Sequence, residues 1–120
     1  MKPIDTKTHG YLDYIMGIFL VAAPSLFSFE MNAMQSYVFY IAGIAAIVYS
    51  LLTSYELGLI KIIPMKIHLV LDLMSGIFLA LSPWIFHFSD QVYVPHLILG
   101  IIEILAAVLT NSRPAIAIKA

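Results

Sequence analysis

The chain has 120 residues, of which 62% are hydrophobic and only 11% are charged, and its formal net charge is −1. A soluble domain carries about 25% charged residues, so this composition excludes an ordinary water-facing surface and indicates a lipid bilayer as the surrounding medium. The near-zero charge does not indicate nucleic acid as a partner. The lack of cysteine excludes disulfides, thiol redox chemistry and thiolate metal sites.

Four apolar segments follow one another along the chain, at residues 11–29, 37–52, 67–88 and 92–110. A helix that spans a bilayer needs about 20 residues, and the second segment reaches this length when it is extended to Tyr55. None of the segments alternates polar and apolar residues as a strand would, and a helix satisfies its own backbone groups in lipid. The sequence therefore predicts an all-α bundle of four transmembrane helices.

The first and third segments are copies of each other. Residues 9–29 and 68–88 align without a gap at an offset of 59, with 10 identities in 21 positions. The identical pairs are His9/His68, Leu12/Leu71, Asp13/Asp72, Gly17/Gly76, Ile18/Ile77, Phe19/Phe78, Leu20/Leu79, Pro24/Pro83, Phe27/Phe86 and Phe29/Phe88. The second and fourth segments match more weakly at an offset of 57, for example at Thr53/Thr110. This pattern predicts a single membrane domain, residues 1–120, made of two tandem helical-hairpin repeats at residues 9–56 and 68–113.

The basic residues predict how these helices are oriented. They lie at the two termini and between the second and third segments, and they are Lys2, Lys7, Lys61, Lys66, Arg113 and Lys119. The other two connections contain Glu30 and Asp90 but no lysine or arginine. The positive-inside rule then predicts that both termini are cytoplasmic. Both hairpins start on the same side, so the repeats are expected to be parallel, related by a pseudo-twofold axis along the membrane normal.

Two prolines at matching positions, Pro24 and Pro83, fall late in the first helix of each repeat and predict a kink or a helix end there. The second lies in the triplet Ser82-Pro83-Trp84. With His68-x-x-x-Asp72, Gly76 and Phe86, this triplet resembles the SPW repeat family of small prokaryotic integral membrane proteins. The first copy reads Ala23-Pro24-Ser25 and keeps only the proline. The resemblance implies a four-helix protein of the prokaryotic inner membrane and brings no established activity.

The repeat places one polar pattern twice, His9-x-x-x-Asp13 and His68-x-x-x-Asp72. Residues four apart share a helix face, and the pseudo-twofold axis brings both pairs to one depth. Two imidazoles and two carboxylates can hold a divalent metal. Alternatively, His9 and His68 can be axial ligands of a haem, with each aspartate orienting its imidazole. The plainer reading is that each aspartate is stabilised by a helix N-terminus, worth about 0.3–1 kcal/mol, and that each histidine reaches water.

Glu103 is an ionisable residue inside the fourth segment, and its repeat counterpart is Ala46. A charged group at such depth is costly and marks a functional candidate. The sequence leaves three roles open for it: a proton carrier, a cation ligand, or a structural hydrogen bond to Ser50, Tyr49 or Ser75. By contrast, His87 and His96 flank the second outer connection and are expected to be solvated.

The sequence contains no nucleotide-binding loop, nucleophile elbow or metalloprotease motif, which argues against an enzyme. The leading hypothesis is therefore a structural or interaction module of the inner membrane, as a homodimer or with a partner subunit. One alternative is a haem-binding or metal-binding redox module that uses His9 and His68. The other is a small proton-coupled or cation-coupled transporter that uses Glu103.

Overall fold

The computed structural model describes residues 2–114, so Lys119 lies outside the described residues. The described chain folds into four helices, α1 (Thr6–Leu26), α2 (Met34–Leu51), α3 (Met65–Ile85) and α4 (Val94–Leu109). The described residues form no β-strand, only two isolated β-bridges, which pair Ile4 with Thr110 and Thr53 with Ile63. The predicted all-α bundle is confirmed.

The first helix of each hairpin ends close to the predicted proline. Pro24 and Pro83 lie inside α1 and α3, and each helix ends two residues later. The amide of Phe29 donates to the carbonyl of Pro24 at 2.8 Å, and that of Phe88 donates to Pro83 at 2.8 Å. Such a bond closes a helix end when the residue before the donor is left-handed. Ser28 and His87 occupy that position with φ values of 59° and 61°, so the two repeats share even this backbone detail.

Within each hairpin the two helices approach closely through glycine. A methyl group added at Gly43 would lie 2.7 Å from the carbonyl oxygen of Gly17, and one at Gly100 would lie 2.6 Å from that of Gly76. Small residues at such crossings let helix backbones come together, which is the main packing device available in lipid. Each hairpin is thus a tightly packed unit.

The two hairpins join asymmetrically. α2 packs against α3, whereas α1 and α4 have little direct contact. A strict twofold relation would make these two junctions equal, because it exchanges α1 with α3 and α2 with α4. The bundle is therefore more open between α1 and α4.

The surface of the bundle is apolar and much of its interior is polar. Large hydrophobic side chains on each helix are exposed, among them Ile15 (64%), Ile41 (66%), Met74 (63%) and Ile98 (51%). The buried polar or charged residues include three histidines, Asp72, Glu103 and several hydroxyl side chains. By length and composition, α2 and α3 are apolar enough to cross a membrane, and α4 is a shorter apolar helix.

At the end of the bundle where α2 and α4 begin, His96 departs from the expectation of a solvated residue. Its side chain is fully buried, stacks on Phe39 with the ring centroids 4.1 Å apart, and lies edge-on to Phe88. The imidazole Nε2 lies 3.0 Å from the carbonyl oxygen of Gln35. The prediction for His96 was wrong because an aromatic cluster that sequence spacing does not reveal closes over it, whereas His87 is exposed.

Candidate functional site

The structure brings His9, Asp13, His68 and Asp72 together at the end of the bundle where α1 and α3 begin. Both histidine side chains are fully buried, while the side chains of Asp13 and Asp72 are 12% and 6% exposed. One ligating atom from each of the four residues lies within 4.8 Å of all the others. We call these four residues the His-Asp cluster.

The shortest contacts of the His-Asp cluster cross between the repeats. Nε2 of His9 lies 2.6 Å from Oδ2 of Asp72, and Nε2 of His68 lies 2.6 Å from Oδ2 of Asp13. The contacts within each repeat are longer, at 3.1 Å for both His9–Asp13 and His68–Asp72. The cluster therefore obeys the pseudo-twofold symmetry, and it ties α1 to α3 although the backbones of these helices have little contact.

A threonine fixes the far side of each imidazole. Nδ1 of His9 lies 2.7 Å from the hydroxyl of Thr110, and Nδ1 of His68 lies 2.7 Å from the hydroxyl of Thr53. Each hydroxyl donates its single proton to the carbonyl four residues earlier, at Ala106 and at Tyr49. The hydroxyl oxygens must therefore accept from the imidazoles, so both Nδ1 atoms carry a hydrogen.

This assignment determines what the other ring nitrogens require. A neutral imidazole with its hydrogen on Nδ1 presents a bare lone pair at Nε2. Both Nε2 atoms lie 2.6 Å from a carboxylate oxygen, and two lone pairs at that distance repel each other. The His-Asp cluster is stable only if a proton lies between each Nε2 and its carboxylate or if a cation lies among the four ligands. Two protons or one divalent cation equally cancel the charge of the two carboxylates.

One carboxylate has an additional donor. The phenol of Tyr49 donates a short hydrogen bond to Oδ1 of Asp72. The repeat counterpart of Tyr49 is Ala106, which has no hydroxyl to donate to Asp13. The two aspartates are therefore unequal: Asp72 is held by three side chains, whereas Asp13 is the more exposed and has no such hydroxyl partner.

The family of the chain follows from comparison with known proteins. Residues 7–110 match the model of the SPW repeat domain, a span that includes all four helices. The chain belongs to the SPW repeat family. Comparison with curated proteins and with solved structures gives no match.

The Ser-Pro-Trp triplet of this SPW repeat domain lies at the opposite end of α3 from His68. Ser82 and Pro83 are fully buried, and the hydroxyl of Ser82 donates to the carbonyl of Leu79 at 2.7 Å. Trp84 is 46% exposed, with its ring centroid 5.6 Å from that of Tyr93. Pro24, the counterpart in the first repeat, is also buried. The triplet thus shapes a helix end and does not contact the His-Asp cluster.

Glu103 faces the bundle interior and is only 9% exposed. The hydroxyl of Ser75 lies beside its carboxyl group, but neither carboxyl oxygen forms a hydrogen bond of normal length and angle among the residues that the structure describes. Of the three partners expected from the sequence, Ser75 lies beside the carboxyl group, whereas Tyr49 donates to Asp72 instead. Glu103 lines a cavity of about 200 Å³ together with Asp13, Asp72 and Tyr49.

Three residues of the site were not recognised from the sequence. The repeat alignment does pair Thr53 with Thr110, and that identity was the available signal for the two hydroxyls behind the imidazoles. Tyr49 gave no such signal because it has no counterpart in the second repeat. The sequence indicates Tyr49 only as a possible partner of Glu103.

Proposed function

We propose that this SPW repeat domain is a multi-pass protein of the prokaryotic inner membrane whose His-Asp cluster binds a divalent transition-metal ion. Membrane insertion is supported by the apolar surface, by the apolar helices α2 and α3, and by the distribution of basic residues in the sequence. A surface patterned in this way is unfavourable in water, whereas buried polar groups that face the interior are typical of functional sites in membranes.

The observation that carries the metal site is the orientation of the two imidazoles. Both Nδ1 atoms donate to threonine hydroxyls, so the Nε2 lone pair of each ring is the one available to a metal. The two Nε2 atoms lie close to each other and to both carboxylates. Metal-binding histidines are usually held in this way, with the second ring nitrogen donating to a fixed acceptor. Two imidazoles and two carboxylates suit Zn²⁺ or another divalent first-row metal better than Mg²⁺ or Ca²⁺.

The geometry favours a small ion over a haem between His9 and His68. The carboxylates of Asp13 and Asp72 lie 2.6–3.1 Å from the two Nε2 atoms. They therefore occupy the space where the porphyrin plane would have to pass. A single metal ion needs only a small displacement of the same four groups.

The test is titration of the purified protein in detergent with Zn²⁺ after treatment with a chelator. We expect one ion per chain and the release of about two protons, because the ion replaces the hydrogens on both Nε2 atoms. His9→Gln and His68→Gln should each abolish stoichiometric binding, and Asp90→Asn, on the exposed outer connection, is the matched control. A folded wild-type protein that takes up no metal would refute the proposal, whatever the variants do.

The second candidate function is structural. The two 2.6 Å contacts fit charge-assisted hydrogen bonds between imidazolium and carboxylate groups, and each links the first repeat to the second. In that case the His-Asp cluster holds the two hairpins together with two protons and no metal. The same titration then shows no Zn²⁺ uptake, and the glutamine variants lose stability without any change in metal content.

A further inference from the structure

The most unusual feature outside the His-Asp cluster is the cavity that α1 and α4 enclose. It has a volume of about 200 Å³, which exceeds the roughly 150 Å³ of an engineered protein cavity that takes up benzene. Leu12, Ile15, Phe19 and Ile102 line it and are also exposed on the outside of the bundle. The cavity therefore communicates with the surface that faces the acyl chains in the proposed membrane orientation.

The wall of this cavity carries acidic groups and no basic side chain. Its polar lining consists of Asp13, Asp72, Glu103 and the Tyr49 phenol, and the remaining lining residues are apolar. The two aspartates contact the histidines of the cluster. Among the described residues, Glu103 is the carboxyl group of this lining whose oxygens form no hydrogen bond of normal length and angle, with the neutral Ser75 hydroxyl beside it, and it is more than nine-tenths buried.

A buried carboxylate without a cationic partner is unfavourable by several kcal/mol, so Glu103 needs either a proton or an external cation. We propose that the cavity between α1 and α4 binds a hydrophobic ammonium ion whose positive charge pairs with Glu103 and whose apolar part fills the space between the two helices. A compound that arrives as the neutral amine takes the proton of Glu103, and one that arrives as the cation displaces that proton to water. Both routes end in the same ion pair.

The repeat explains why the cavity has one acidic group, Glu103, that is not part of the His-Asp cluster. Ala46 and Glu103 are counterparts, as are Tyr49 and Ala106, and all four line the cavity. The first repeat thus supplies the Ala46 methyl group and the Tyr49 phenol. At the matching positions the second repeat supplies the Glu103 carboxyl group and the Ala106 methyl group. The cavity lies where both the sequence symmetry and the helix packing depart from twofold symmetry, as expected for a site that binds one asymmetric ligand.

The experiment measures binding of 2-phenylethylammonium to the purified full-length protein in detergent, with neutral 2-phenylethanol as the matched compound. We expect the ammonium ion to bind at least tenfold more tightly than the alcohol, a difference of about 1.4 kcal/mol. Glu103→Gln should remove this preference, and Ala106→Leu should weaken both compounds by filling the cavity. Glu30→Gln, on the exposed first outer connection, should change neither.

Equal binding of the two compounds by the wild type, or an unchanged preference in Glu103→Gln, would overturn the proposal. If Glu103→Gln fails to fold, equal binding of the two compounds by the wild type still refutes the proposal. The proposal rests on Glu103, which is outside the His-Asp cluster, although Asp13 and Asp72 of that cluster also line the cavity. Zn²⁺ binding by the Glu103→Gln variant, measured in parallel, separates failure of the cavity from failure of the metal centre.

Discussion

Each histidine of the His-Asp cluster is oriented by a chain of three groups rather than by the carboxylates alone. The carbonyl at the end of α2 orients the Thr53 hydroxyl, and that hydroxyl orients the His68 ring; Ala106, Thr110 and His9 repeat the arrangement. Since both rings are fully buried, no water replaces a lost acceptor. The hydroxyl therefore decides which ring nitrogen faces the carboxylates.

Replacement of Thr53 by valine tests this directly. The variant keeps the shape of the side chain but leaves the Nδ1 hydrogen of His68 without an acceptor, which should cost about 1–3 kcal/mol of stability. Zn²⁺ affinity should fall by about 10–100-fold, the usual effect of losing such an orienting group. Titration calorimetry and thermal unfolding in detergent measure the two effects.

The matched control for that variant is Thr53→Ser, which retains the hydroxyl. It should keep Zn²⁺ affinity close to that of the wild type. If valine and serine bind the metal equally well, the hydroxyl does not set the ring orientation and the assignment of the hydrogens to Nδ1 is wrong.

Sequence spacing alone could place part of this site. The repeat predicts that His9, Asp13, His68 and Asp72 form two equivalent pairs, and the structure brings the pairs together. The short contacts nevertheless cross between repeats, as in His9–Asp72, and spacing within one helix cannot indicate a partner 63 residues away. The threonines were missed for a similar reason, since 101 residues separate His9 from Thr110.

At the scale of the helices, the glycine crossings determine how closely each hairpin packs. Gly76 and Gly100 face each other in the second hairpin, and Gly17 and Gly43 do so in the first. The repeat alignment matches Gly17 with Gly76 and Gly43 with Gly100. The crossing points were therefore predictable from the sequence. The helix ends were predictable too, because Pro24 and Pro83 mark them.

Gly100→Ala should destabilise the protein although alanine is the better helix former. The preference for alanine in a helix is worth about 1 kcal/mol, but the added methyl group would lie 2.5 Å from the amide nitrogen of Ala80 and 2.6 Å from the carbonyl oxygen of Gly76. Backbone atoms cannot rotate away, so α3 and α4 must separate, and overpacking typically costs about 1–3 kcal/mol. We expect a net loss, measured as a lower midpoint of thermal unfolding in detergent.

The neighbouring substitution Ile101→Ala serves as the control, because Ile101 is 44% exposed on the same helix. It should change stability by no more than about 0.5 kcal/mol. A Gly100→Ala variant as stable as the wild type would mean that the two helices are not held at the observed separation.

For the whole molecule, the repeat predicts the symmetry but not its departures. A twofold model makes the α2–α3 and α4–α1 junctions alike, whereas α2 and α3 are in contact and α4 and α1 have little direct contact. The unequal pairs Tyr49/Ala106 and Ala46/Glu103 were visible in the sequence. The opening between α1 and α4 could not be predicted from these pairs, because it depends on how all four helices pack together. Association with a second copy or a partner subunit stays a prediction of the sequence.

The orientation of the bundle across the membrane is a prediction of the charge distribution. Lys61 lies in the connection between α2 and α3, where its ammonium donates to the carbonyls of Tyr55 and Gly58 at 2.6 and 3.1 Å. Asn32 and Asp90 lie in the two connections at the opposite end of the bundle, which contain no lysine or arginine. Lysine and arginine are retained on the cytoplasmic side during insertion, so the two ends should face different compartments.

Reporter fusions provide the measurement. A fluorescent protein that folds only in the cytoplasm should be active when fused at Lys61 and inactive at Asn32 and Asp90, and an alkaline phosphatase should give the reverse pattern. A fourth fusion, at Arg113 after α4, should match Lys61, because two further crossings return the chain to the same side. External placement of Lys61 alone would contradict the charge argument. Opposite placement of Lys61 and Arg113 would contradict the parallel repeats, because the second hairpin would then not return the chain to the side on which it began.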